Sequence, residues 1–196
     1  LISRSPWWID YNHAPPGAGY MHMLFSLATV GPQGEVFTEA GGTNRFIADR
    51  CPTDFTNASL TLRARGELVT QGSQFVLLIQ GSVEGITSGW LCTGQPFDVT
   101  DSWSEDTIVL DANPANWTAL GVRHDRADMY GVKPLDHVLS DVNVNIMLVL
   151  FPLEVAAMGP LDGDPHILRP ERDYPVWRNR LPEGYININE VRIEFS

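Results

Sequence analysis

The sequence predicts an all-β fold in which two antiparallel sheets pack face to face, together with one short helix. Residues 58–65 alternate between apolar and polar side chains, as strands with one face in a core do. Residues 141–155 begin with the same alternation and become continuously apolar from Ile146 to Phe151, which indicates a strand covered on both faces. Short β patterns separated by turn residues favour a sandwich or barrel over βαβ units.

The amino-terminal part of the chain has the least regular pattern of apolar and polar residues. Residues 1–19 hold an aromatic run and then a Pro/Gly-rich loop, in which regular structure is not expected. Residues 20–30, rich in Met, Leu and Phe, predict a strand. Residues 31–44 carry turn signals around a short strand at 35–38, and residues 45–57 are irregular.

The remainder of the chain predicts the body of the sandwich. We expect the strand at 58–65 to end at Gly66, and further strands to follow at residues 74–80, 89–94, 107–111, 141–155 and 185–195. Because the apolar positions change parity between Ile188 and Val191, the last strand should contain a bulge near Asn189 and Glu190. Residues 159–184 predict a long loop, either packed or functional.

The helix is predicted at residues 134–139. Pro134 suits the start of a helix, and Leu135, Val138 and Leu139 lie on one helical face.

Composition and charge limit the partners that the chain is expected to bind. Its 196 residues, 43% of them hydrophobic, fit one domain that buries a substantial core. The 13 Lys+Arg residues against 24 Asp+Glu residues give a formal net charge of -11. Such a surface repels nucleic acid and anionic lipid, so neither is an expected partner, and neutral ligands are favoured.

The start of the chain and the cysteines bear on the cellular compartment in which the protein is expected. The chain begins at Leu1 and shows neither a signal peptide nor an apolar run of the roughly 20 residues that span a bilayer. We expect a secreted, extracellular or periplasmic protein, or a module of a longer one. A disulfide between Cys51 and Cys92 is left open, since the spacing does not demand it.

A row of amide and guanidinium side chains is the main candidate for a binding surface. These planar groups suit bidentate hydrogen bonds with neighbouring hydroxyls, and an aromatic ring offers a flat surface to a sugar. The predicted hydrogen-bonding residues, placed on one shared sheet face, are Arg63, Arg65, Gln80, Asn143 and Asn145. Trp90 and Tyr130 are the predicted stacking residues. The alternative is that these side chains are polar because they face solvent.

Four segments of the chain carry a family resemblance: the strands at 58–66 and 74–80, the segment 103–111 leading to Trp117, and the closing strand at 185–193. Their pattern resembles that of the strands in the jelly-roll carbohydrate-binding modules, which are galactose-binding-like β-sandwiches. The resemblance covers roughly residues 58–196 and lies in the strand pattern. It implies a jelly-roll sandwich that binds polysaccharide, requires no cofactor for binding and can hold a structural calcium ion. Glu190 is the residue nearest to that family's calcium ligand.

Two other functions stay open. A polysaccharide-cleaving enzyme, a glycoside hydrolase or a lyase, could use Asp10, His13, His124 and Tyr130 for acid–base chemistry, although residues 123–130 also fit a charged turn. The histidines lack the close spacing of a zinc motif. Alternatively, the polar face could pack on another domain or subunit, which would make the chain an assembly module or an oligomer.

Overall fold

A computed structural model describes residues 2–4, 20–29, 51–122, 127–164, 168 and 170–196. Within these residues the chain forms two antiparallel sheets and a short helix, so the predicted all-β sandwich is confirmed. The strands are β1 (Ile2–Arg4), β2 (Tyr20–Thr29), β3 (Ser59–Val69), β4 (Gln74–Val83), β5 (Ile86–Leu91), β6 (Ser104–Val109), β7 (Thr118–Ala119), β8 (Asn145–Leu153) and β9 (Glu183–Glu194). The short helix, α1, spans Leu135–Leu139.

Consecutive strands often belong to different sheets. Among the described residues the first sheet has the order β1-β9-β3-β6, and the second has the order β2-β8-β4-β5-β7. From β3 onward the chain therefore changes sheet four times: between β3 and β4, β5 and β6, β6 and β7, and β8 and β9. Jelly-roll connectivity remains a prediction from the resemblance.

The predicted strand with two covered faces is β8, which lies between β2 and β4. Ile146, Leu148 and Leu150 contribute to the core between the sheets. On the opposite face, alternate β8 residues join a second apolar cluster, whose members are Met21, Val76, Leu78, Leu91, Leu120, Met147, Val149 and Phe151. The continuous apolar run is thus explained by burial on both sides, and this prediction is confirmed.

The first sheet is apolar on its inner face and polar on its outer face. Leu60, Leu62 and Ala64 of β3 point into the main core, as does Ile186 of β9. The intervening β3 residues include Arg63 and Arg65, which point away from it. This single covered face is the reason that the sequence here alternates strictly.

Two details of β3 and β9 refine the sequence predictions. The pairing shifts so that Arg63 lies opposite Glu190 while Ala64 lies opposite Ile188, which confirms the predicted bulge at Asn189. Gly66 does not end β3, which continues to Val69. A Cβ on Gly66 would lie 2.1 Å from the carbonyl oxygen of Tyr185, so glycine is required by the close approach of β9.

The helix and the long loop also follow the sequence. In α1, Leu135, Val138 and Leu139 are buried, as their spacing predicts. Part of the loop between β8 and β9 is packed, since Ala157 pairs with Val176, which is 3% exposed. The short strand predicted at 35–38 lies outside the described residues. The described part of the chain has no helix with the length and hydropathy of a membrane-spanning segment.

Candidate functional site

The structure divides the predicted row of polar residues between the two sheets. Arg63 and Arg65 lie on β3 in the first sheet, whereas Gln80 lies on β4 and Asn145 on β8, both in the second. The expectation of one shared face is therefore wrong. The physical reason is that the chain crosses the sandwich between β3 and β4, which an alternating pattern does not reveal.

Gln80 and Asn145 form a covered pair. They lie opposite each other on β4 and β8, and the Asn145 Nδ2 donates to the Gln80 Oε1. Their face is the one that carries Leu78 and Met147, which belong to the second apolar cluster. Gln80 is 2% exposed, so its amide is packed into the protein and does not present an open surface to a ligand.

Asn143 joins a loop to the end of β4. Its Oδ1 accepts the backbone N–H of Ser82 at 2.8 Å, and its Nδ2 donates to the Asp141 carboxylate at 2.8 Å. Both polar atoms of the amide are engaged within the protein, so Asn143 supports the fold at this position.

We expect Asn143→Ala to lower the free energy of unfolding by about 1–2 kcal/mol, because the Ser82 N–H loses its acceptor in a partly buried place. Urea denaturation measures this change. Glycan affinity should be unchanged, and a variant with normal stability but reduced affinity would contradict this structural role.

The predicted stacking residues do not join the arginines. Trp90 packs against the main core, and its Nε1 donates to the Lys133 carbonyl at 3.2 Å. Tyr130 is half-buried and bridges to Thr87 on β5, in the second sheet. Neither ring lies on the face that carries Arg63 and Arg65.

The other predicted sites are the acid–base set and the calcium site. Asp10, His13 and His124 lie outside the described residues, which leaves Tyr130 as the described member of that set. Glu190, the predicted calcium ligand, accepts from Arg192 at 2.9 Å. The structure, over the ranges that it describes, holds no group of three His, Cys, Asp or Glu side chains that fits a metal ion.

The structure instead gathers a different set of residues around the two arginines. Trp103 comes just before β6, the neighbour of β3. The guanidinium carbon of Arg63 lies 5.4 Å from the centroid of the Trp103 ring, and that of Arg65 lies 4.9 Å from it. These are cation–π distances. Trp103 remains 39% exposed, so the arginines hold an aromatic ring at the surface.

Strand β9 adds polar groups on the other side of the arginines. Asn187 lies opposite Arg65, and Tyr185 lies opposite Glu67. Both point outward, because the adjacent Ile186 and Ile188 pack into the core. We call the outer surface formed by Arg63, Arg65, Trp103, Tyr185 and Asn187 the Trp103 face.

Ion pairs restrict Arg63 and Arg192 on this part of the first sheet. Glu105 of β6 lies 3.8 Å from Arg63. Arg192 of β9 pairs with Glu190 at 2.9 Å and with Glu194 at 3.8 Å. These pairs are partly exposed and add little stability, but they restrict where the side chains can move.

Sequence reasoning missed Trp103, Tyr185 and Asn187 as site residues, although part of the signal was present. The alternation of Ile186 and Ile188 already placed Asn187 on the outside of its strand. The sequence did not reveal that β9 pairs with β3, nor that Trp103 lies within reach of Arg63 and Arg65.

Both cysteines are free thiols, so the disulfide that the sequence left open is not formed. Burial, with a smaller contribution from the nearby Asp111 carboxylate, raises the pKa of the Cys92 thiol to about 11. The thiol therefore contributes stability fully below its usual pKa of 9.0, and this contribution is lost as the pH rises through about 11. The protonated thiol is a poor nucleophile.

We expect iodoacetamide at pH 8 to leave Cys92 unmodified in the folded protein and to modify it after denaturation, because the folded thiol is both buried and protonated. Peptide mass spectrometry reports the extent of modification. Equal rates of labelling in the folded and denatured protein would contradict the buried position.

Comparison of the chain with protein-family models, with curated proteins and with solved structures gives no match.

Proposed function

We propose that this chain binds a polysaccharide, without cleaving it, on the Trp103 face. The observation that carries the proposal is an exposed tryptophan ring held against two guanidinium groups, with an amide beside them on the next strand. The proposal keeps Arg63 and Arg65 from the sequence prediction and replaces its other members with Trp103, Tyr185 and Asn187.

The chemistry of these groups suits a sugar chain. The C–H face of a pyranose ring is apolar and packs on a flat aromatic surface, while its hydroxyls need hydrogen-bond partners. The Arg65 guanidinium and the Asn187 amide both have planar, paired bonding groups that match neighbouring hydroxyls. A tryptophan beside such groups therefore meets both requirements of the ligand.

The position on strands supports binding by a preformed surface. Arg65 and Asn187 lie on adjacent paired strands, and β3 is hydrogen-bonded on both sides. Groups held on rigid strands lose little conformational entropy when they bind. An open sheet face can also contact several consecutive sugars of an extended chain.

The acidic groups on this sheet favour binding over cleavage. Glu105 and Glu190 lie opposite Arg63 on the two flanking strands. A glycoside hydrolase needs one carboxyl group free to donate a proton to the leaving oxygen. Glu105 is paired with Arg63 and Glu190 with Arg192, so that of Glu67, Glu105 and Glu190 one carboxylate, Glu67, lacks an arginine partner among the described residues, whereas a hydrolase uses two.

Incubation with a panel of insoluble polysaccharides tests the proposal. The protein should be retained on at least one of them without releasing reducing ends or unsaturated products. Release of oligosaccharide would favour the cleaving enzyme instead. A monodisperse oligomer that is retained on none of the panel would favour the assembly module.

A further inference from the structure

Arg65 stands apart from the other cationic side chains. Within residues 51–122, 127–164 and 170–196, the lysine and arginine side chains other than Arg65 each lie within ion-pair distance of a carboxylate, and they are Arg63, Lys133, Arg172, Arg178, Arg180 and Arg192. Arg65 contacts the Trp103 ring, and no described carboxylate lies within 4.0 Å of it.

An arginine without a carboxylate partner is unexpected in this chain. With 24 Asp+Glu residues against 13 Lys+Arg residues, acidic partners are in excess. Glu67 is two residues further along β3 and points to the same side of the sheet, yet it does not pair with Arg65. The Arg65 guanidinium thus keeps its hydrogen-bonding edge available next to an exposed aromatic ring.

From this arrangement we infer that the polysaccharide carries a carboxylate, that of a uronic acid, and that Arg65 is its receptor. This inference rests on the proposed function. Arginine binds a carboxylate through two parallel N–H···O bonds, and charge makes these bonds stronger than those to hydroxyls. With the carboxylate on Arg65, the sugar ring that bears it lies beside Trp103.

The surrounding charges limit how many carboxylates the ligand carries. Glu67, Glu105 and Glu190 all lie on the same side of the sheet as Arg65, and the formal net charge of the chain is -11. A second carboxylate on the next sugar would approach these groups and be repelled. The ligand class is therefore a largely neutral polysaccharide with isolated uronic acids, and not a polyuronate.

An acidic peptide fits this face less well than a sugar. Extended peptides usually bind to sheets by pairing with an unpaired edge strand. Arg65 and Asn187 lie on β3 and β9, which are each already paired on both sides. Among the described strands of this sheet, a peptide could pair with the outer edges of β1 and β6, which carry neither residue. The site offers side chains and an aromatic surface, which match a carboxylated sugar ring.

A glycan array with matched pairs tests this inference. Each uronic acid-bearing polysaccharide, such as glucuronoxylan, is printed beside the same material with its carboxyl groups reduced to alcohols. The unmodified protein should bind at least one acidic member at least about 10-fold more tightly than its reduced counterpart, the usual size of a charged hydrogen-bonded pair. Polygalacturonate and poly-L-glutamate should bind more weakly than that member.

Two variants test whether Arg65 is responsible for the preference for acidic glycans. Arg65→Gln should bind the acidic and reduced glycans equally, whereas Arg192→Gln should keep the preference, because Arg192 already has Glu190 and Glu194 as partners. Thermal unfolding shows whether each variant is folded.

The outcomes separate the inference from the proposed function. Binding to neutral or reduced glycans as tight as to acidic ones would overturn the inference and leave polysaccharide binding intact. Tighter binding to polygalacturonate would overturn the requirement for isolated uronic acids, and equal binding to poly-L-glutamate would overturn the requirement for a sugar. Binding to no glycan on the array would remove the proposed function, and the inference with it.

Discussion

Trp103→Ala should weaken polysaccharide binding by about 30-fold, since an exposed tryptophan at the centre of a binding face typically contributes about 2 kcal/mol. Two effects add in this variant. The sugar loses its flat apolar surface, and Arg63 and Arg65 lose the ring that they lie over. Isothermal titration calorimetry with a retained, soluble glycan measures the change.

Trp177→Ala is the matched control for that experiment. Trp177 is 47% exposed against 39% for Trp103, but it lies in the loop between β8 and β9. Its loss should leave affinity unchanged, and both variants should unfold within a few degrees of the unmodified protein. If Trp103→Ala binds normally, or if Trp177→Ala loses as much affinity, the Trp103 face is not where the sugar binds.

Gly66→Ala should be strongly destabilising, with a loss of about 3 kcal/mol in the free energy of unfolding. The new Cβ would lie 2.1 Å from the Tyr185 carbonyl oxygen, and because this is backbone, β9 itself must shift. For a chain of this size the midpoint of thermal unfolding should fall by roughly 10 °C. Differential scanning calorimetry measures the shift.

The same substitution bears on the binding face. Gly66 follows Arg65 on β3, so a displaced β9 would move Asn187 away from Arg65. Gly159→Ala is the control, because a Cβ at Gly159 would have nothing within 4 Å. It should unfold at the original temperature. A Gly66→Ala variant as stable as Gly159→Ala would show that β3 and β9 are not packed this closely.

The sequence predicted which faces of three main strands are buried, because burial determines the order of apolar and polar residues along a strand. Alternation marked β3 and, with one change of parity, β9, whose outer sides are polar, and the apolar run marked β8, which is covered on both faces. The parity change near Asn189 located the bulge for the same reason. Each of these features depends on which side of a strand is buried.

The candidate site could not be predicted because it depends on which strands are neighbours. Alternation placed Arg65 on a polar side, and Gln80 was expected to share that side, but the pattern carries no information on the sheet to which a strand belongs. Gln80 proved to lie among the second apolar cluster, while Arg65 lies opposite Asn187. The proposed site keeps the predicted types of side chain, which are arginine, amide and aromatic. Of the residues predicted for it, Arg63 and Arg65 remain.

Nuclear magnetic resonance titration of the 15N-labelled protein with a retained, soluble glycan tests the central claim most directly. The side-chain N–H signals of Trp103, Arg65 and Asn187 should shift together as glycan is added. Those of Gln80 and Asn145, which lie on the second sheet, should stay in place. Shifts at Gln80 and Asn145 with an unmoved Trp103 signal would contradict binding on the Trp103 face.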